Sequence, residues 1–389
     1  MMYPANLVSQ FRESVIRDMT RLALDHDALN LSQGFPDFGT PEPIKEAAIR
    51  AIRDGHNQYA ITWGYPPLRA KLAEMYTEKL GWDVSAADHI TVTCGVSEGI
   101  VIAVAAVVNP GEELIVLEPA HDNFRPAAHM AGAKPVPVPL NAPDYRIEKS
   151  ALQQVVSPKT KALLLNTPHN PTGRVFDADE VQIVIDLVLE HDLILITDEI
   201  YDRILYDGRI HVSPGSYEAV RERTITIGGL GKTFAITGWR LGYVIAPEPL
   251  ARGVRALHDY TTICAPTPLQ IAAETALNLP EEFFIESTKA YHQRRDLMMN
   301  ILHEVGFQAN TPEGAYYVLA DYTKLPIPQA QLGSMDFAKW MTTEVGVAVV
   351  PAESLYSVAG YGTGAVRFAY PKKLDTLHLA ADRMKRKIG

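Results

Sequence analysis

Leu193-Ile194-Leu195-Ile196-Thr197-Asp198-Glu199-Ile200-Tyr201 sets an unbroken apolar run of strand length directly before two carboxylates and a tyrosine. A run without polar alternation is buried on both faces, as strands of parallel sheets are. Asp198 then falls at the strand's carboxyl end, where open α/β sheets place their ligands. Working outward, residues 114–117 and 162–165 are runs of the same kind. Between 165 and 193, Val181, Val184, Ile185, Val188 and Leu189 share one helical stripe, opened by Asp177 with Glu180 three residues later in a capping-box arrangement. Ile90-Thr91-Val92-Thr93 reads as a strand, Gly95-Val96-Ser97 as a turn, and 98–108 as a buried helix stopped by Asn109-Pro110-Gly111. The repeating βα unit predicts a mainly parallel sheet with right-handed crossovers and helices on both faces.

The flanks read differently. Val8, Phe11, Val15, Met19 and Leu22 recur at spacings of three or four and predict an amphipathic segment lying on the body. Residues 31–41 and 58–67 are ordered loops rich in Gly, Pro and aromatic side chains, each followed by a helix (43–54 and 68–80). Residues 241–246 look like one more strand, and 272–302 are largely helical. Strand candidates at 316–319, 345–350 and 365–369, with helices between and after, predict a smaller α+β domain. The expected division is a large cofactor-binding domain over 41–285 and a small domain formed by the N-terminal arm 1–40 with 286–389.

The 389 residues suit a two-domain enzyme. A formal net charge of −10 argues against a nucleic-acid partner. Two cysteines, Cys94 and Cys264, are too few for a disulfide framework or a cysteine-rich metal site, so no metal and a reducing, cytoplasmic setting are expected. The first twenty residues lack the pattern of a signal peptide. The longest uncharged apolar run, 100–108, is about half a membrane span, so no membrane association is expected.

Gly228-Gly229-Leu230-Gly231-Lys232-Thr233-Phe234 follows the strand-like Thr224-Ile225-Thr226-Ile227. Gly-Lys-Thr invites a phosphate-binding P-loop, but that motif needs a glycine at 226, where Thr stands, and a dinucleotide G-x-G-x-x-G fails at Phe234. What remains is a lysine whose small neighbours leave room to carry something bulky. Four further groups follow strands, and each supplies what a pyridoxal phosphate site needs. Asn170, in Asn166-Thr167-Pro168-His169-Asn170-Pro171-Thr172-Gly173, can aim its amide from a loop stiffened by proline. Asp198 can pair with a protonated pyridine nitrogen while Tyr201 hydrogen-bonds the ring hydroxyl. Gly95-Val96-Ser97 opens a helix whose free N–H groups favour a phosphate, and Arg240 adds a bidentate clamp. Any of these alone is as common in loops that bind nothing; together, at successive strand ends, they are not.

With these motifs the chain resembles the fold-type I pyridoxal-phosphate enzymes of the class I/II aminotransferases, and within them the kynurenine/glutamine and prokaryotic aspartate-type aminotransferases. The resemblance runs from Leu31 to about Arg367, strongest in Gln33-Gly34-Phe35-Pro36-Asp37-Phe38, Asn57-Gln58-Tyr59, 166–173, 197–201 and 232–242. It implies Lys232 as the Schiff-base lysine, Asp198 at the pyridine nitrogen, and Asn170 with Tyr201 at the ring oxygen. Gly95, Val96, Ser97 and Arg240 would hold the phosphate, reached by Tyr59 from the neighbouring subunit of a homodimer with shared sites. Arg367 would clamp the substrate α-carboxylate beside Gly34 and Asn170, while Phe35, Trp63 and Tyr65 would shape the side-chain pocket. The chain departs from the family's pattern twice. Gly229 stands where a phosphate-binding serine is common, and His121 where an aromatic ring usually stacks on the cofactor, with Phe124 the other candidate for that place. The implied reaction is ping-pong transamination between an L-α-amino acid and a 2-oxoacid; β-elimination on the same scaffold, and a non-enzymatic sensor domain, remain alternatives.

Overall fold

The computed structural model describes residues 5–11 and 13–389. Its strands are β1 (Leu29–Asn30), β2 (Ile90–Thr93), β3 (Glu113–Glu118), β4 (Lys134–Pro139), β5 (Thr160–Asn166), β6 (Ile194–Asp198), β7 (Thr224–Gly229), β8 (Gly242–Ile245), β9 (Gln308–Ala309), β10 (Tyr317–Asp321), β11 (Val347–Ala348), β12 (Val350–Pro351) and β13 (Ala365–Ala369). The α-helices are α1 (Val15–Asp25), α2 (Glu42–Arg53), α3 (Pro66–Leu80), α4 (Val96–Val107), α5 (Phe124–Met130), α6 (Lys149–Val155), α7 (Ala178–Glu190), α8 (Glu248–Thr261), α9 (Thr267–Leu277), α10 (Glu281–Val305), α11 (Ser334–Trp340) and α12 (Leu374–Lys387).

A seven-stranded sheet runs β2-β8-β7-β6-β5-β3-β4. It is parallel from β7 through β4, and β8 lies antiparallel to both β7 and β2. Alternation along single strands explains the layers. Leu114, Val116, Ala162 and Leu164 face the cluster under α4, α5 and α8. Ile115, Leu117, Leu163 and Leu165 face the opposite cluster with α6 and α7. The result is the α/β/α sandwich with a mainly parallel sheet that the sequence predicts.

A second, antiparallel sheet runs β12-β13-β10-β9. Its core joins Met19 and Leu31 from the N-terminal segment to Leu302, Phe337, Phe368 and Met384. β1 pairs in parallel with β11, Leu29 opposite Val347, which carries the N-terminal segment into this body.

Several local expectations are corrected. Val8 is exposed and lies before the helix, which begins only at Val15. In α7 the buried leucine is Leu187 and Leu189 faces solvent, because the sheet-facing arc turns one step earlier. The long helical stretch breaks at Pro280, which cannot continue α9 and instead precedes α10. The single strand expected over 345–350 is two two-residue pieces, preceded by a π-turn over Met341–Val345 that ends at the left-handed Gly346.

Candidate active site

Register brings the chemistry together. Asn166 at the end of β5 pairs with Asp198 at the end of β6, and Asp198 pairs with Ile227 of β7, five residues before Lys232. The three strand ends open into one cleft beside the N-terminus of α4, the kind of concave, polar-lined place where small molecules bind.

At one end, Val96 and Ser97 begin α4 with their N–H groups unused by the helix. Gly95 precedes them at φ 80°, and a Cβ there would lie 2.4 Å from an Arg240 nitrogen, so only glycine lets the guanidinium reach the helix start. Arg240 itself sits in the left-handed region and donates to Thr237 O at 3.0 Å and Ser97 Oγ at 3.5 Å. Its exposed guanidinium, the serine hydroxyl and the helix N-terminus converge as an anion cradle. Gly229 does not widen it: a Cβ there would lie 2.6 Å from Ile200 Cδ1 and 2.8 Å from Val96 Cγ2, so these side chains occupy the space a serine needs.

Across the cleft, Asp198 is buried, and its Oδ1 accepts from Ile200 N–H at 3.2 Å. Burial pushes its carboxyl up to about 7, against the pull of the Lys232 charge. The loop after β5 is tied to it, since Asn166 Nδ2 donates to Asp198 O at 2.9 Å and Asn166 Oδ1 accepts from Asn170 N–H at 2.8 Å. Lys232 Nζ donates to Gly34 O at 3.1 Å, and burial holds its pKa below the ordinary lysine range. Tyr201 shares a 3.1 Å hydrogen bond with Tyr317; burial, reinforced by Tyr317, pushes its phenol well above the usual range.

Arg367, on β13, reaches the same region from the other sheet. It is 1% exposed, donates to Asn170 Oδ1 at 3.1 Å and Ser32 O at 2.7 Å, and leaves its Nε without a partner among the described residues. Tyr317 lies beneath it, 4.5 Å from guanidinium carbon to ring centre. Tyr317 lines the cleft, as do Asn123 and Thr237, and none of the three carries a sequence signal. Tyr317 was discoverable only through the strand candidate that begins at 316.

His121 lines the cleft; burial lowers its pKa, which Asp122 opposes from 3.2 Å. Phe124 does not line it. As the first residue of α5 it shares an inward face with Ala127 and Ala128 and is drawn into the core, its ring edge-on to His121 at 5.8 Å. Trp63 is likewise outside the cleft, stacked 4.2 Å from the Arg255 guanidinium, whose Nη2 donates to the carbonyls of Ala87 and Ile90. Phe35 packs on the Lys372 ammonium at 3.9 Å, and Tyr65 precedes α3 with its N–H on Gln270. Tyr59 is 76% exposed and turned to solvent.

An open anion cradle, a buried carboxyl with no cationic side chain among the described residues in hydrogen-bond contact, and a lysine whose pKa burial lowers, all around one cleft, fit a phosphorylated pyridine aldehyde. The comparisons agree. The family described as "Aminotransferase class I and II" matches residues 26–383. A methionine aminotransferase of Escherichia coli is 32% identical over 382 residues, covering 98% of each chain. Human kynurenine–oxoglutarate transaminase 1 is 33% identical, covering 95% of this chain and 94% of that protein. The solved structure of N-succinyldiaminopimelate aminotransferase from Mycobacterium tuberculosis superposes with a TM-score of 0.94 at 34% identity, over 99% of this chain and 100% of that one. The chain belongs to the class I and II aminotransferases. It has their fold-type I architecture and is a pyridoxal-phosphate-dependent enzyme catalysing transamination.

Proposed function

We propose that Lys232 carries the cofactor covalently and acts as the proton-transferring group of the reaction. The observation that carries this is its half-buried amine, which donates to Gly34 O in the cleft that Asp198 and Arg240 also line. Bound, pyridoxal phosphate supplies an electron-accepting ring that stabilises negative charge at the substrate Cα. Gly95, Val96, Ser97 and Arg240 would hold its phosphate, Asp198 would keep a proton on the ring nitrogen, and Tyr201 with Asn170 would hydrogen-bond the ring oxygen. Arg367 binds the α-carboxylate through its free Nε–H, close to Asn170 and Gly34. With its amine free, Lys232 would remove and return the substrate Cα proton, a role its lowered pKa suits. The two half-reactions share this site in ping-pong order. His121, which lines the cleft, would cover the ring face.

Relatives named for methionine and for kynurenine transamination support a large, uncharged or aromatic donor side chain. A panel of amino donors with 2-oxoglutarate and with pyruvate tests this. Oxoacid-dependent turnover is expected; ammonia release without an oxoacid would contradict it.

We also propose a cytoplasmic homodimer in which Tyr59 completes the neighbour's phosphate site, supported by its exposure beside the exposed Ile61. Full activity from a monomer at high dilution would contradict it. No described helix is long and apolar enough to cross a membrane. We place the division between a large domain, 41–285, and a small one, 1–40 with 286–389. In its support, Phe283 and Phe284 pack with the core of α2 and α3, whereas Tyr291 onward packs with β10 and β13.

A further inference from the structure

Four successive carbonyls in the loop after β1 each meet a side-chain donor. Ser32 O accepts from Arg367 Nη2 at 2.7 Å, Gly34 O from Lys232 Nζ at 3.1 Å and Tyr316 OH at 2.9 Å, while Gln33 O and Phe35 O accept from Lys372 Nζ at 3.5 and 2.9 Å. Lys372 follows β13, is 2% exposed, and lies 3.9 Å from the centre of the Phe35 ring. Asp37 supplies an opposing charge, but its own oxygens are engaged by Lys373 N–H and the Thr376 hydroxyl. Burial pushes the Lys372 ammonium down to about 8, the mark of a cation compensated mainly by carbonyls and a ring. A buried ammonium is costly where an apolar side chain of similar length would fill the space. Its donors therefore matter for what they hold, and that is the loop carrying Gly34.

We propose that Lys372 is a positioning residue for the substrate side of the active site: its ammonium fixes the path of residues 33–35, and so sets Gly34 O against Lys232. This rests on the roles given to Lys232 and Arg367. The phosphate cradle is built on the start of α4 and on Arg240, whose hydrogen bonds go to Thr237 and Ser97 rather than to residues 33–35.

The test uses Lys372→Met, which keeps the length without the charge, and Lys372→Gln, which keeps a neutral donor should the first not fold. In the cofactor-free protein, amide hydrogen exchange over 31–38 should quicken at least about tenfold while 90–97 is unchanged. In the holoenzyme, KM for amino acid and oxoacid should rise about tenfold or more, since small misplacements near the reacting atoms are costly, and cofactor Kd should change less than about twofold, with Lys372→Gln the milder variant. Variants that fold with wild-type exchange and KM, or that both fail to fold, would make Lys372 a stabilising residue only and overturn the proposal. Lys232→Ala is the control: if it keeps its chromophore and turnover, the underlying assignment fails, whereas silent Lys372 variants beside an inactive Lys232→Ala sink this proposal alone.

Discussion

Arg367 and Asn170 meet inside the protein, the arginine Nη1 donating to the amide Oδ1 at 3.1 Å. Ser32 O takes Nη2, so the guanidinium is held rigidly with its Nε–H still free. A charge-assisted hydrogen bond contributes about 1.5–3 kcal/mol, roughly ten- to a hundredfold. Arg367→Ala should therefore raise KM by about that factor for every α-amino acid alike, and Arg367→Lys, lacking the fork, should rescue only in part. Steady-state kinetics over a donor panel checks this. A loss confined to dicarboxylic donors would make Arg367 a side-chain selector.

Asp198 couples the site to pH in the cofactor-free protein. Its folded-state pKa, about 7, lies above that of the unfolded chain, about 3.9. The folded state thus binds the extra proton, and the stability this contributes is present below about pH 4 and lost as pH rises through 7. Asp198→Asn should flatten that part of the profile of Tm against pH. With cofactor bound, the partnered carboxylate should no longer destabilise above pH 7, and Asp198→Asn should lower activity at least tenfold or so by removing the charge proposed to keep the ring nitrogen protonated. A wild-type apoenzyme profile identical to that of Asp198→Asn would contradict the buried, protonated carboxyl.

His121 and Phe124 separate cleanly because one lines the cleft and the other lies beneath it. His121→Phe should keep cofactor affinity and most activity, since a flat ring suffices, whereas His121→Ala should weaken cofactor binding and shift its absorbance. Phe124→Ala should instead lower stability by about 3–5 kcal/mol, the usual cost of emptying a core aromatic site, read by denaturant unfolding of the apoenzyme. If Phe124→Ala alone disturbs the absorbance, the two roles are reversed.

What the sequence made legible follows its physics. β3, β5 and β6 stand out because strands buried on both faces are written as unbroken apolar runs. β4 does not, because Pro135, Pro137 and Pro139 read as loop; it exists at the sheet's edge, bonded only to β3, where prolines are tolerated. Nor does a local pattern tell that β8 runs antiparallel, since direction is set by pairing far along the chain. Within the site, Asn170, Asp198 and Lys232 were readable as polar breaks after apolar runs. Tyr317 was not, for its hydroxyl reaches Tyr201 from a strand 116 residues away. Phe35 and Trp63 were drawn toward the substrate pocket by their aromatic character, yet each is held by a cation that sequence spacing does not reveal.

The central claim is that Lys232, held at Gly34 O, carries the cofactor. Borohydride reduction of the purified holoenzyme, followed by peptide mapping by mass spectrometry, tests it most directly. The expected result is a yellow protein whose reduced cofactor adduct maps to Lys232 alone, and a Lys232→Ala variant that forms no reducible species and has lost turnover. An adduct on another lysine, or a wild-type protein that stays colourless with added pyridoxal phosphate, would contradict the account.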